Sequence, residues 1–323
     1  MGKPYTNQDV VQTLRSSSVK IIAIERVSNS MFKIEVDRNR TKYAKIVPAD
    51  RVEAFETLIK FGTDIGMPKS RFIYGQPSIH LMDPAKGRTL SYEIPIGLIP
   101  GLHLHRGSQL KKGVHKLGRY LGKLHDSSAS GEIVINYLDT HLDQQDAINE
   151  DGVNHLLKSK LSENLILDIE FLLDSIEPLY GKSSIIHGDI RLFHVYLSNS
   201  DVELIDFDSA TKTVGATDLI SFECSLALMI SRLPWATRKK QDALLKELHQ
   251  GYREQNKDAE VSERQWKLLK IIKYCSILLY YIERIEKDRH GFLSSKADIT
   301  QTIDTKILKR LIRTNVTGLR KML

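Results

Sequence analysis

Cysteine is scarce in this 323-residue chain: only Cys224 and Cys275 occur, both in apolar stretches. That excludes a disulfide-stapled extracellular scaffold and fits buried free thiols in a reducing cytoplasm. Long hydrophobic runs are missing too. No segment approaches the roughly 18 apolar residues that would span a bilayer, and Met1-Gly2-Lys3-Pro4-Tyr5 lacks the apolar core of a signal peptide. There is no Cys/His cluster at metal-ligand spacing, no Walker-type loop, no internal repeat and no low-complexity tract. Nothing suggests a nucleophilic Ser or Cys triad. The composition, 41% hydrophobic and 27% charged, is that of a globular protein with room for about two domains.

Positive charge is unevenly placed. Of the net +7, six charges come from Lys306, Lys309, Arg310, Arg313, Arg320 and Lys321, in a stretch from Thr305 to Leu323 with no acid. The body is therefore near neutral, which excludes a uniformly basic nucleic-acid binder. Ile307, Leu308, Leu311 and Ile312 form an apolar stripe beside those cations. Such a tail helix either makes weak peripheral contact with an anionic membrane or packs into the core with its basic face solvated. Nothing in the sequence sets an oligomeric state.

What is present is a pair of carboxylates. Ile185-Ile186 lead into His187-Gly188-Asp189-Ile190-Arg191-Leu192-Phe193-His194, and the apolar Val195-Tyr196-Leu197 lead out. Ser198-Asn199-Ser200-Asp201 is a turn signal, and Val202-Glu203-Leu204-Ile205 returns as a second strand with Asp206 just past its end. One hairpin thus carries Asp189 and Asp206, seventeen positions apart, at its mouth. Phosphoryl transfer needs one carboxylate to accept the proton of an attacking hydroxyl and another to hold magnesium on the nucleotide phosphates.

This segment resembles the catalytic and metal loops of the aminoglycoside phosphotransferase and choline kinase-like family, the small-molecule branch of the protein-kinase fold. The family pattern is His-Gly-Asp, four residues, Asn, an apolar strand and Ile-Asp. The resemblance covers about residues 19–235 and implies a bilobal α+β fold. A small antiparallel sheet with a helix would form a nucleotide-binding lobe over residues 1–97. A larger, mostly helical lobe over 98–323 would carry catalysis and the acceptor. The implied activity moves the γ-phosphoryl of ATP (or GTP) to a hydroxyl of a sugar, amino-sugar or amino-alcohol with Mg²⁺. By the same match Asp189 is the base, Arg191 offsets charge on the phosphoryl group, and Asp206 binds the metal. His194 stands where the family has Asn. A neutral imidazole offers a lone pair to a metal, whereas magnesium prefers oxygen. The alternative is accordingly a nucleotide-binding pseudoenzyme or scaffold. A protein kinase is disfavoured, because there is no Ala-Pro-Glu segment and too short a gap between Asp206 and Asp218 for an activation loop.

Residues 8–18 form a leading helix. Val19 to Val27 and Met31 to Val36 are strands joined at Ser28-Asn29-Ser30, a turn that in the family covers the phosphates. Lys45, on the strand Thr41 to Val47, either points outward by alternation or resembles the family's nucleotide lysine. Asp50 is a candidate cap for a helix striped by Val52, Phe55, Leu58 and Ile59. Glu53 or Glu56 either reaches Lys45 or stays outward and solvated; counting back from Met67-Pro68, where the family commonly has a proline opening the next strand, favours Glu53 as the partner. Segments 72–75 and 78–82 are further strands. Ser91 to Gly101, with Pro95 and Pro100, is expected to be extended. It resembles the interlobe hinge, where the backbone of Ile96 and Leu98 would meet the base. Gln109 to Asp126 is a helix striped by Val114, Leu117, Leu121 and Leu124, with Gly118 and Gly122 allowing close packing. A second amphipathic helix lies near Leu165–Leu179. His125 and Asp218 resemble structural positions, Asp218 anchoring the catalytic loop. Asp139, Asp143, Asp146, Glu150 and Asp151 suit either a pocket for a cationic acceptor or a solvated face. Residues 219–323 are mainly helical.

Overall fold

The computed structural model describes residues 5–28, 30–36, 40–99, 104–135, 158–199, 201–256, 261–288 and 295–323. Alternation of apolar residues builds its first half. Phe32, Ile34 and Val36 of β2 (Met31–Val36) all face inward, and β2 pairs antiparallel with β1 (Ile21–Arg26) and β3 (Arg40–Ile46). With β4 (Ser70–Ile73) and β5 (Ile79–Met82) these make a five-stranded sheet in the order β1-β2-β3-β5-β4. Helix α1 (Asn7–Ser16), closed by a capping box between Thr6 and Asp9, buries Val10 and Leu14 in that sheet's own core. Helix α2 (Val52–Phe61) turns Phe55 and Leu58 toward a different core, shared with the second half. A single turn of tight helix, Ala49–Arg51, precedes it, and the residue before its first turn is Arg51, without a side-chain cap.

The chain leaves the sheet at Met82, and Arg88–Thr89 (β6) already pairs with Leu197 and Tyr196 of β9 (Val195–Ser198). Residues 88–97, grouped with the first lobe on sequence, therefore pair and pack with the second. The stretch expected to be extended is instead helical, α3 (Leu90–Gly97), with Pro95 inside it. Proline removes one amide donor at a cost of about 3 kcal/mol. Full burial of Leu90 and Ile94, with Leu98 nearly buried, outweighs it.

The second half is built on α4 (Leu104–Ser127), whose Val114, Leu117, Leu121 and Leu124 are fully buried. A Cβ on Gly118 would lie 2.1 Å from Leu248 O, and one on Gly122 2.6 Å from Tyr252 O. Their absence lets α4 press backbone to backbone on a later helix. Two three-stranded sheets flank it, β10-β9-β6 and β11-β8-β7. The latter unites β7 (Ser130–Ile135), β8 (Leu179–Ile186) and β11 (Thr211–Val214), and β10 is Asp201–Leu204. The amphipathic helix before β8, α5, runs Glu163–Ser175 and stops short of Leu179, which opens the strand. Then come α6 (Ala216–Ser231), α7 (Arg238–Arg253), α8 (Glu263–Asp288) and α9 (Ser295–Arg320).

In α9 the apolar stripe is inside: Leu308, Ile312, Val316 and Leu319 join the core of α5, α6 and α8, leaving Lys306, Arg310 and Arg313 exposed. Both cysteines are free and buried, each thiol pushed up to about 12 by burial. No helix among the described residues is long and apolar enough to cross a membrane.

All four residues of β5 are buried, including His80, which sits opposite Lys45 of β3. Neither ring nitrogen of His80 has a hydrogen-bond partner. Burial, helped by the Lys45 charge, pulls the imidazole down to about 4. Between pH 6.5 and about 4 the unfolded chain thus holds a proton that the folded one refuses, so stability falls as pH falls through that window. Replacing His80→Leu removes this slope. By urea denaturation the wild type is expected to lose about 2 kcal/mol more than the variant between pH 7.5 and pH 5.

Candidate active site

The loop after β8 is held by one buried carboxylate. Asp218, in the first turn of α6, accepts from the backbone N–H of His187 (2.8 Å) and Gly188 (2.9 Å) and from Nε2 of His125 (3.0 Å). His125 is completed by the Tyr252 hydroxyl at 2.9 Å from Nδ1. Burial alone would raise the Asp218 carboxyl, but the His125 hydrogen bond and charge, with further donors, hold it below its usual value. Gly188 is required here. Its φ is +85°, and a Cβ would lie 2.0 Å from Ser209 O. His187 then donates from Nε2 to Ile205 O at 2.8 Å, tying this loop to the one that follows β10.

Asp189 and Asp206 project from these two loops. Asp189 Oδ1 accepts from Arg191 Nε at 2.7 Å, and the guanidinium lies over the Tyr280 ring, 5.4 Å from its centroid. Asp206 adopts the left-handed conformation (φ 66°, ψ 57°), which Asp tolerates better than most residues. His194, almost fully buried, bridges the two segments. Its Nδ1 lies 2.7 Å from the backbone oxygen of Asp189, and its Nε2 3.3 Å from Asp206 Oδ2. A carbonyl only accepts, so Nδ1 carries the proton. Burial, reinforced by neighbouring His187, lowers the imidazole below its usual range and keeps it neutral near pH 7. The bare Nε2 lone pair therefore faces a carboxylate oxygen, a donor set that suits a cation.

Lys45 comes from the five-stranded sheet and lies 2.5 Å from both Asp206 Oδ1 and Asp208 Oδ2. Burial pushes both carboxyls up. Lys45 outweighs it at Asp206, which ends below its usual value, but not at Asp208, which stays raised. The expected partner Glu53 is exposed and Glu56 accepts from the Tyr74 hydroxyl, so Lys45 is matched by Asp206 and Asp208 instead. Asp208 was missed as a site residue on sequence; its spacing two residues from Asp206 was the available signal.

The remaining candidates are placed elsewhere. Ser28 closes the β1–β2 turn, its Oγ accepting from Met31 N at 3.2 Å. Ser30 O accepts from Ile46 N at 2.8 Å, and Asn29 lies outside the described residues. Ile96 is within α3. Leu98 follows it with its N–H given to Ile94 O and its carbonyl to Lys240, so neither group of Leu98 is open to a base. The acids at 139–151 lie outside the described residues. A cavity of about 500 Å³, unforeseen on sequence, opens beside Asp189 and Arg191 and is walled by α6 and α8.

Two aspartates a short distance apart now have separable jobs. Asp218→Ala strands two backbone donors and His125 in the interior, and urea denaturation should show a loss of about 3 kcal/mol or more. Asp189→Asn, at the cavity wall, should change stability by less than about 1 kcal/mol.

No curated protein matches the chain. Among solved structures, a glucosamine kinase in complex with glucosamine, ADP and inorganic phosphate aligns over 99% of this chain and 86% of its own, with a TM-score of 0.60 at 13% identity. An amicoumacin kinase in complex with AMP-PNP, Ca²⁺ and Ami aligns over 95% and 94%, with a TM-score of 0.57 at 12% identity. A choline/ethanolamine kinase family protein from Mesorhizobium loti aligns over 93% and 92%, with a TM-score of 0.56 at 11% identity. At such identities these likenesses establish the bilobal kinase-like fold. The model of the phosphotransferase enzyme family matches residues 21–263, and with the whole His187–Asp218 constellation inside that span, the chain belongs to this family.

Proposed function

We propose that the protein transfers the γ-phosphoryl group of ATP or GTP to a hydroxyl of a small molecule. The observation that carries the reading is the meeting of Lys45, from one half of the fold, with Asp206 and Asp208, from the other, beside Asp189. Membership of the phosphotransferase enzyme family supports it, as do fold neighbours bound to AMP-PNP and to ADP.

Asp189 would act as base. Arg191 occupies Oδ1, leaving Oδ2 to take the proton of an acceptor hydroxyl lying in the cavity. Arg191, half-buried beside it, would offset charge on the transferring group. Lys45 would bind nucleotide phosphates, which compete with Asp208 for its ammonium. The residues present fit a divalent cation: Asp206 with Nε2 of His194 would hold Mg²⁺, which when bound supplies positive charge to the phosphate oxygens. Little covalent chemistry falls to the protein, and most of the rate would come from position and preorganised charge.

A second reading rests on His194 alone, a nucleotide-binding scaffold without turnover. Thermal unfolding separates the two. Millimolar ATP or GTP with Mg²⁺, at ~100 times its dissociation constant, should add about 2.7 kcal/mol of stability. That gain should vanish in Asp206→Ala, and Asp189→Asn should keep it while turnover falls about 10²–10⁴-fold. A gain that is indifferent to Mg²⁺ and accompanied by no turnover would favour the scaffold.

His194 also sets the metal preference. Imidazole nitrogen favours Mn²⁺ over Mg²⁺ more than an amide oxygen does. His194→Asn should therefore lower the ratio of Mn²⁺ to Mg²⁺ affinity, read from the metal dependence of the nucleotide-induced Tm shift.

A further inference from the structure

Among the described residues, the cavity beside Asp189 is lined by more cations than anions. Its described lining includes Arg191, Lys212, Arg232 and Lys273 but only one carboxylate, Asp189. Arg232 is neutralised from behind by Asp304 and Arg191 is paired with Asp189, which leaves Lys212 and Lys273 uncompensated among the described residues. Lys273 is the informative one. It is 7% exposed, sits on the apolar helix α8, and has no hydrogen-bond or ion-pair partner among the described residues. Its helical neighbours Ser276, Ile277 and Tyr280 line the same cavity, so the whole face i, i+3, i+4, i+7 is turned to one space. An unpaired ammonium turned toward a cavity is open to an anion, which would form a charge-assisted hydrogen bond with it.

We infer that the acceptor is an anionic hydroxylated molecule, a sugar acid or sugar phosphate in size and kind, whose negative group is taken by Lys273 with Lys212 at the rim. This rests on the phosphotransferase reading and narrows it. The hydroxyl oxygen would bond to the γ-phosphorus as the bridging bond to the β-phosphate oxygen breaks. The proton passes to Asp189, and the nucleoside diphosphate leaves. Ser221, Ser225 and Ser276 give the wall hydroxyls that suit a polyol.

The test uses one ring with three charges: glucosamine, glucose, and glucuronate or glucose 6-phosphate, with ADP formation followed in the full chain. The anionic acceptors should be preferred, and Lys273→Met should raise their KM about 10–100-fold, the worth of a hydrogen bond to a charged group, with the KM for glucose unmoved. Lys273→Arg should restore the preference. If glucosamine is the preferred acceptor, or if Lys273→Met leaves the anionic KM unchanged, the inference is overturned. A binding arm without nucleotide separates this from failure of the kinase reading. Glucuronate and glucose 6-phosphate should each raise the Tm of wild type and of Lys45→Met but not of Lys273→Met. Whichever of the two gives the larger shift identifies carboxylate or phosphate. Lys273-dependent shifts without any ADP formation would sink the kinase reading while upholding the anion site. Shifts that survive in Lys273→Met, or no shift with either anion, would sink the anion site itself. The unliganded Tm of Lys273→Met reports whether the variant is folded, so misfolding does not blur the result.

Discussion

A single fully buried carboxylate holds the candidate site in shape. Asp218 stands at the start of α6, where the helix dipole favours an anion, and it is surrounded by donors rather than by a mobile counter-ion. Through His125 it is joined to α4 and to Tyr252 of α7; through the amide of His187 it fixes the loop carrying Asp189. His187 extends the chain of bonds to Ile205, next to Asp206. The two loops that bear the chemistry are therefore positioned by one continuous buried network. Such a network is stable only when every member is satisfied, which is why the glycine between His187 and Asp189 and the histidine ending α4 are as necessary as the aspartates.

The second tie runs between the halves. Lys45 is nearly buried, and its one positive charge is shared by Asp206 and Asp208. The cluster sets two carboxyls against one cation, and burial, only partly offset by Lys45, pushes Asp208 up, with the Asp206 charge adding to it. His80, opposite Lys45 on the neighbouring strand, stays neutral and adds no second cation to oppose it. A triphosphate is more strongly anionic than a lone carboxylate and would compete well for the ammonium. On the proposed reading, the carboxylates that join the halves would hold the place of phosphate oxygens.

Local features were legible in the sequence; relations across the fold were not. The stripe of α4, the alternation of β2 and the His-Gly-Asp loop are written in neighbouring residues. The strand β8 was partly hidden because Gly181, Lys182, Ser183 and Ser184 break any alternation, and it is defined by pairing with β7 and β11. The α3 segment was misjudged because proline outvotes its neighbours on local grounds, while burial of Leu90 and Ile94 decides in three dimensions. The partner of Lys45 was misjudged for a related reason. Glu53 is close along the chain, but Asp206, 161 positions away, is what the packing of the halves presents to it. Lys273 had a faint signal, a lysine inside the apolar run from Leu268 to Leu279. Lys270 in the same run pairs with Glu223, and no spacing rule distinguishes the two.

The histidine at position 194 brings these threads together. An imidazole whose Nδ1 proton is committed to the Asp189 backbone has no freedom to turn its other nitrogen from a lone pair into a donor without becoming a cation, which its burial opposes. Facing Asp206, it is tolerable because Lys45 draws off charge from the other carboxylate oxygen. The arrangement leaves a place for positive charge between Nε2 of His194 and Asp206 Oδ2, while Lys45 already meets two carboxylates. Under the proposed reaction a metal ion would take that place, and phosphate oxygens would displace a carboxylate at Lys45. The cavity beyond Asp189 carries, among the described residues, more cations than its one carboxylate. Under the proposed reaction the nucleotide would meet Lys45 and the acceptor would enter the cavity, with Asp189 at the cavity wall as the base between them.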